Sequence, residues 1–154
     1  MRRVLAACGG FLLAVLWFDL MFDVQVLRQP EGPLPPPVLV SIASYYRRVT
    51  TDAVPMTHLV AVVMLIAVAG SLAEVLRRRV SLGFGVALVA ACGLPIGFTL
   101  ARVFPAAVRL GAQLDPPAVQ SDLARAICRD HLSCLAAILL FIGLAIAAPG
   151  RRSR

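Results

Sequence analysis

Hydrophobic and polar positions alternate along this chain on a long scale: apolar runs of about twenty residues separated by polar stretches. Four runs are long enough to cross a bilayer, at about residues 4–26, 56–76, 80–104 and 132–148, since a spanning helix needs roughly 20 mainly apolar residues. No run shows the every-second-residue alternation of a membrane barrel strand, and a bilayer leaves backbone groups no water to bond, so each run is expected to be a helix. The pattern predicts an all-α fold: a four-transmembrane-helix bundle, one domain over residues 1–154, with two longer loops at about 27–55 and 105–131.

The loops carry their own pattern. "QPEGPLPPP" is stiff and extended because proline fixes its backbone. "VLVSIASYYRRVT" sets apolar and aromatic residues against Arg47 and Arg48, and predicts an amphipathic surface helix at about 37–50. "LDPPAVQSDLARAICRDH" opens on a proline pair suited to a helix start. Its segment, about 117–131, is expected to run on into the fourth span.

Composition agrees with the runs: 60% of residues are hydrophobic and 15% charged, where a soluble domain has about a quarter charged. The net charge of +7 is mostly arginine lying beside apolar runs, so it argues for a membrane and not for nucleic acid. "MRR", "RRR" (Arg77 to Arg79) and "RRSR" fall on one side of the predicted spans, and the positive-inside rule puts them, and both termini, in the cytoplasm. The expected location is a bacterial cytoplasmic membrane, with the two long loops on its outer side. Only about four apolar residues precede Cys8, fewer than a signal peptide needs, so the first run is expected to stay as a helix. Cys8 and Cys92 read as apolar core residues, Cys128 and Cys134 are spaced wrongly for a bridge, and no C-x-x-C occurs.

The candidate chemistry sits at the outer ends of the predicted helices. In "LWFDLMFDVQV" the carboxylates Asp19 and Asp23 are four residues apart and share a helix face. A first helix ending at Phe18 would be too short to span, so Asp19 is expected inside the outer third of the membrane and Asp23 near its boundary. Intramembrane carboxylates are costly and normally have partners. His58 and His131, the only histidines, and Arg102 fall at the same depth. Three readings follow. In the first, Asp19 or Asp23 forms ion pairs with Arg102 or with Arg47 and Arg48. In the second, a polar pocket binds or converts a lipophilic small molecule, with Asp19, Asp23, His58 or His131 moving protons. In the third, Asp19, Asp23, His58 and His131 hold a transition metal; no cofactor is otherwise expected.

Three motifs carry a family resemblance: "SYYRRVT", "FTLARVFPAAVRL" (matching at Phe98, Thr99, Pro105, Arg109 and Leu110) and "RDHLSCLAAILL" (matching at His131). On these the chain resembles the anthrone-oxygenase-like family of small four-helix membrane proteins. The resemblance implies oxidation of a polycyclic anthrone to an anthraquinone by O2 without an evident metal, with Thr99, Arg109 and His131 among the matching positions. Ala107, Ile127 and Cys134 stand where the family pattern has asparagine, tryptophan and arginine. Two classes of function remain: a membrane protein that binds or oxidises a lipophile, and a non-catalytic subunit of a larger membrane complex. Lipids are partners in either case.

Overall fold

The computed structural model describes residues 1–147; Ala148 to Arg154, including the terminal arginines used for orientation and the end of the fourth predicted span, lie outside the described residues. The helices are α1 (Arg2–Asp23), α2 (Pro36–Arg47), α3 (Val54–Leu76), α4 (Leu82–Phe98), α5 (Phe104–Ala112) and α6 (Pro117–Ala147). A 3₁₀ turn, Val24–Arg28, prolongs α1, and π-helical turns follow α2 at Arg48–Asp52 and α4 at Thr99–Val103. Among the described residues there is no strand.

This is an all-α four-helix membrane bundle: Arg2–Arg28, Val54–Leu76, Leu82–Ala112 and Pro117–Ala147 are each long and apolar enough to cross a bilayer. Their outward faces carry large apolar side chains, Leu65, Leu94, Leu139, Leu140 and Ile146 among them. Such a surface needs lipid around it. The helices form a ring, α1 beside α3 and α6, and α4 beside α3 and α6. The heptad-like spacing Leu5, Cys8, Gly9, Leu12, Leu16, Leu20 and Asp23 gives α1 one buried face. Gly9 permits its close approach to α6: a Cβ there would lie 2.6 Å from the Ile142 side chain.

Two runs are longer than a bilayer. α6 has 31 residues, as does the α4–α5 run, and at about 1.5 Å per residue each is roughly 46 Å long against a hydrocarbon core of about 30 Å. The excess projects at one end, where α2 fills the space between α5 and the first turns of α6. Val26, Leu34, Leu39, Ile42, Tyr46, Leu110 and Ile127 form a core there. The result is a cap on the bundle, and the expected outer loops are largely helical. The apolar run visible at 80–104 ends at Pro105, but the helix does not: proline costs nothing near a helix start, α5 carries on to Ala112, and Gln113 (φ 56°) ends it.

The proline-rich stretch before α2 is pinned to α6. The Leu34 N–H donates to Ser121 Oγ at 2.9 Å, and the Arg125 guanidinium donates to the carbonyls of Gln29 and Gly32. α2 is not laid on a surface, as its amphipathic sequence suggests; its apolar face is buried in the cap, with Ile42 and Ala43 wholly inaccessible. α2 and α5 touch backbone to backbone at Gly111, where a Cβ would stand 2.7 Å from the Arg47 nitrogen. Gly111→Ala must therefore displace α2, and is expected to cost about 1–3 kcal/mol, the usual range for overpacking. Thermal unfolding in mild detergent checks this; an unchanged midpoint would show that α2 is not held at Gly111.

Candidate functional site

The buried polar groups of the bundle meet under the cap. α1 brings Asp19 and Asp23 on one face, α6 brings His131, and α2 brings Tyr45 and Tyr46 down from above. The Tyr46 hydroxyl donates to Asp23 Oδ1 at 2.7 Å. His131 Nδ1 lies 2.6 Å from Asp23 Oδ2 and 3.5 Å from the Tyr46 oxygen. The Tyr45 hydroxyl donates to Asp19 Oδ1 at 2.6 Å, and its ring stacks on Phe22 with centroids 4.1 Å apart. Asp23 is 0% exposed, and both of its oxygens are used. A carboxylate that is desolvated to this degree persists only with such partners.

Beside this network lies a cavity of about 70 Å³. Apolar side chains line most of it, Leu12, Leu16, Met64, Ile96, Ile138 and Phe141 among them, and Asp19, Thr99, His131 and Cys134 give it a polar end. Thr99 Oγ1 and Cys134 Sγ are 3.7 Å apart, within reach of a weak hydrogen bond. His131 lines the cavity, and with Nδ1 against Asp23 its Nε2 has no hydrogen bond among the described residues; since no fully buried side-chain nitrogen or oxygen there lacks a partner, Nε2 is accessible. If Nδ1–H donates to Asp23, the neutral ring offers Nε2 as a proton acceptor. Pro95, in the cavity wall, has no N–H for the Ala91 carbonyl, and a π-helical turn begins at Thr99. Both features interrupt the α-helical hydrogen-bond pattern at the cavity wall.

The sequence-predicted residues divide. Asp19, Asp23, His131 and Thr99 come together. The arginines do not join them, which corrects the ion-pair reading. Consecutive residues on a helix are turned by about 100°, so when Tyr45 and Tyr46 face α1, Arg47 and Arg48 face outward and are exposed. Arg102 instead stands 3.7 Å from Asp130 and 5.2 Å over the Phe98 ring. Arg109 grips Asp115 through two bonds of 2.7 and 2.8 Å, and holds that carboxyl below its ordinary range.

His58 is exposed at the start of α3, whereas Asp23 and His131 are buried. The four-residue metal set therefore does not converge, and among the described residues no three His, Cys, Asp or Glu are placed to hold a metal. Burial does not follow the expected order of depth: Asp23 is sealed under the cap, whereas Asp19 is half-buried and lines the cavity.

Tyr45 and Tyr46 are the functional residues that sequence reasoning passed over, although they are the only tyrosines in the chain. Burial, then the charge of the neighbouring aspartates, pushes both phenols above their ordinary range. An acid whose folded pKa lies above its unfolded value of about 10 favours the fold at lower pH, and that stability drains away as pH rises past 10. Because the site holds every tyrosine, absorbance titration reads it directly. The folded protein is expected to show no tyrosinate where the denatured chain ionises both; two phenols ionising near 10 in the native protein would contradict the buried network.

The fold and site together define a multi-pass membrane protein with a carboxylate–imidazole–tyrosine network beside a lipophilic cavity. Comparison with protein-family models, with curated proteins and with solved structures gave no match.

Proposed function

We propose that this protein binds a lipophilic small molecule in the cavity and that the Asp23–His131 pair accepts a proton from it. The observation that carries the reading is the 2.6 Å contact of Asp23 with His131 Nδ1, which leaves Nε2 turned to an apolar cavity. A carboxylate on the far nitrogen fixes the tautomer and ring orientation, and stabilises the imidazolium formed when Nε2 takes a proton. Tyr46 holds the second carboxylate oxygen, so Asp23 stays in place through the transfer. Proton removal is also the first need of an anthrone oxidation by O2 without metal, the activity that the family resemblance implies, but the proposal itself extends only to proton acceptance from a lipophilic molecule. The proposed setting is a bacterial cytoplasmic membrane with both termini cytoplasmic and the cap outside.

A nitrophenol carrying an octyl chain tests the core of this reading, because its phenolate is coloured. In lipid nanodiscs the wild type is expected to hold it as phenolate at a pH where empty nanodiscs keep it protonated. Asp23→Asn and His131→Gln should both abolish the colour. The same spectrum in the wild type, both variants and empty nanodiscs would overturn the assignment of a proton acceptor.

A further inference from the structure

The route into the cavity follows from which parts of the bundle are closed. Towards the cap it is sealed: Val26, Leu34, Leu39, Tyr46 and Leu110 pack over the network with exposures of 7% or less. Along the bundle axis at the other end, Leu5, Leu88 and Phe141 close it, each at 2% or less. α3 differs. It buries Ala67, Gly70, Ser71 and Glu74 in its second half, and no residue from Val54 to Ile66 is buried. Its first half is thus the thinly covered side of the bundle, and Val60 and Met64, both half-buried, stand in the cavity wall there. Pro95 on α4 and Thr99 in the π-helical turn after it also line the cavity and are half-buried too.

Size and polarity then limit what passes. A dry cavity of about 150 Å³ holds one benzene; this one, at about 70 Å³, holds less. The polar end presents acceptors: Nε2 of His131, and Oδ2 of Asp19, since Tyr45 takes only Oδ1. Thr99 and Cys134 share one weak hydrogen bond, which leaves a single hydroxyl or thiol donor beside the two stronger acceptors.

Resting on the proposed function, we infer that the ligand comes sideways from the bilayer, past the first half of α3, and inserts one narrow end that bears a hydrogen-bond donor. The ligand is a long-chain alcohol, or a single-ring phenol that inserts only its hydroxyl and the ring edge beside it, the rest of the molecule staying in the lipid beside Val60 and Met64. A tricyclic molecule presents an edge too broad to pass without α3 moving. This departs from the polycyclic substrate that the family resemblance implies.

The test uses the full chain in nanodiscs with 4-octylphenol, its methyl ether 4-octylanisole, and an octyl-substituted anthracenol. Binding is measured by displacement of a fluorescent alkylphenol. The phenol is expected to bind about tenfold tighter than the ether and the tricyclic compound. Val60→Trp and Met64→Trp, which narrow the α3 side, should each weaken the phenol by about tenfold. Leu114→Trp, exposed on the cap, should not. Equal binding of phenol and ether would overturn the donor requirement; tight tricyclic binding would overturn the size limit. Unchanged phenol binding in both α3 variants would overturn the route, and it would do so even if the nitrophenol colour still depended on His131, in which case the proton acceptor survives and only the route falls.

Discussion

Asp23→Leu is expected to destabilise the protein by about 3 kcal/mol, and Asp19→Leu by about 1 kcal/mol. Asp23 joins three helices: it sits on α1, accepts from Tyr46 on α2 and pairs with His131 on α6. Two hydrogen bonds at about 0.6–1.7 kcal/mol each, the range found in a membrane bundle, set a floor of roughly 1–3 kcal/mol. Leaving the buried His131 Nδ1–H and the Tyr46 hydroxyl without an acceptor adds to this, at about 1–3 kcal/mol for each orphaned group. Asp19 accepts one bond, from Tyr45, and its free oxygen faces the cavity, so its removal orphans a single hydroxyl at about 1 kcal/mol. Denaturant unfolding in mild detergent orders the two. Adding Tyr46→Phe to Asp23→Leu should cost less than the sum of the single changes, because the pair acts as a unit. Equal losses for the two aspartates, or a larger loss at Asp19, would mean that the cap does not seal Asp23 as described.

That ordering was not legible in the sequence, and the reason is geometric. Depth along α1 can be counted in residues, and on that count Asp19 lies deeper. Burial depends also on what covers the helix end. The cover is α2, and nothing in "VLVSIASYYRRVT" says that it folds down onto α1 with its tyrosines inward. Arg47 and Arg48 drew attention because charge near a buried carboxylate invites pairing. The tyrosines satisfy the carboxylates with neutral donors instead, which spares the bundle two more charges to desolvate.

What was legible followed from local pattern. Four apolar runs, the shared face of Asp19 and Asp23, and the level of His131 are all one-dimensional properties that a bilayer converts into depth. The convergence of Asp23 with His131 needed the packing of α1 on α6, and the exclusion of His58 needed α3 to turn that residue outward. Neither property is written in any single segment. The extension of the third run to Ala112 was hidden by Pro105, a residue that reads as a stop from the left and as a start from the right.

Phe141→Ala should link this packing to ligand choice. Phe141 is 2% exposed, closes the cavity opposite its polar end and packs near Gly9 of α1. In a soluble core the change costs about 3–5 kcal/mol, part transfer and part cavity. In a bilayer the transfer part largely vanishes, since lipid is as apolar as the bundle interior. The lost dispersion contacts remain, so about 2–3 kcal/mol is expected. The emptied space adds to the existing cavity, which then no longer bars the broad edge of a tricyclic molecule. The octyl-substituted anthracenol should gain about tenfold in affinity, while 4-octylphenol, already accommodated, gains little. Refilling the space with Phe141→Leu should recover most of the stability and remove most of the gain. A destabilised Phe141→Ala protein with unchanged preference between the two ligands would show that Phe141 supports the bundle without bounding the ligand.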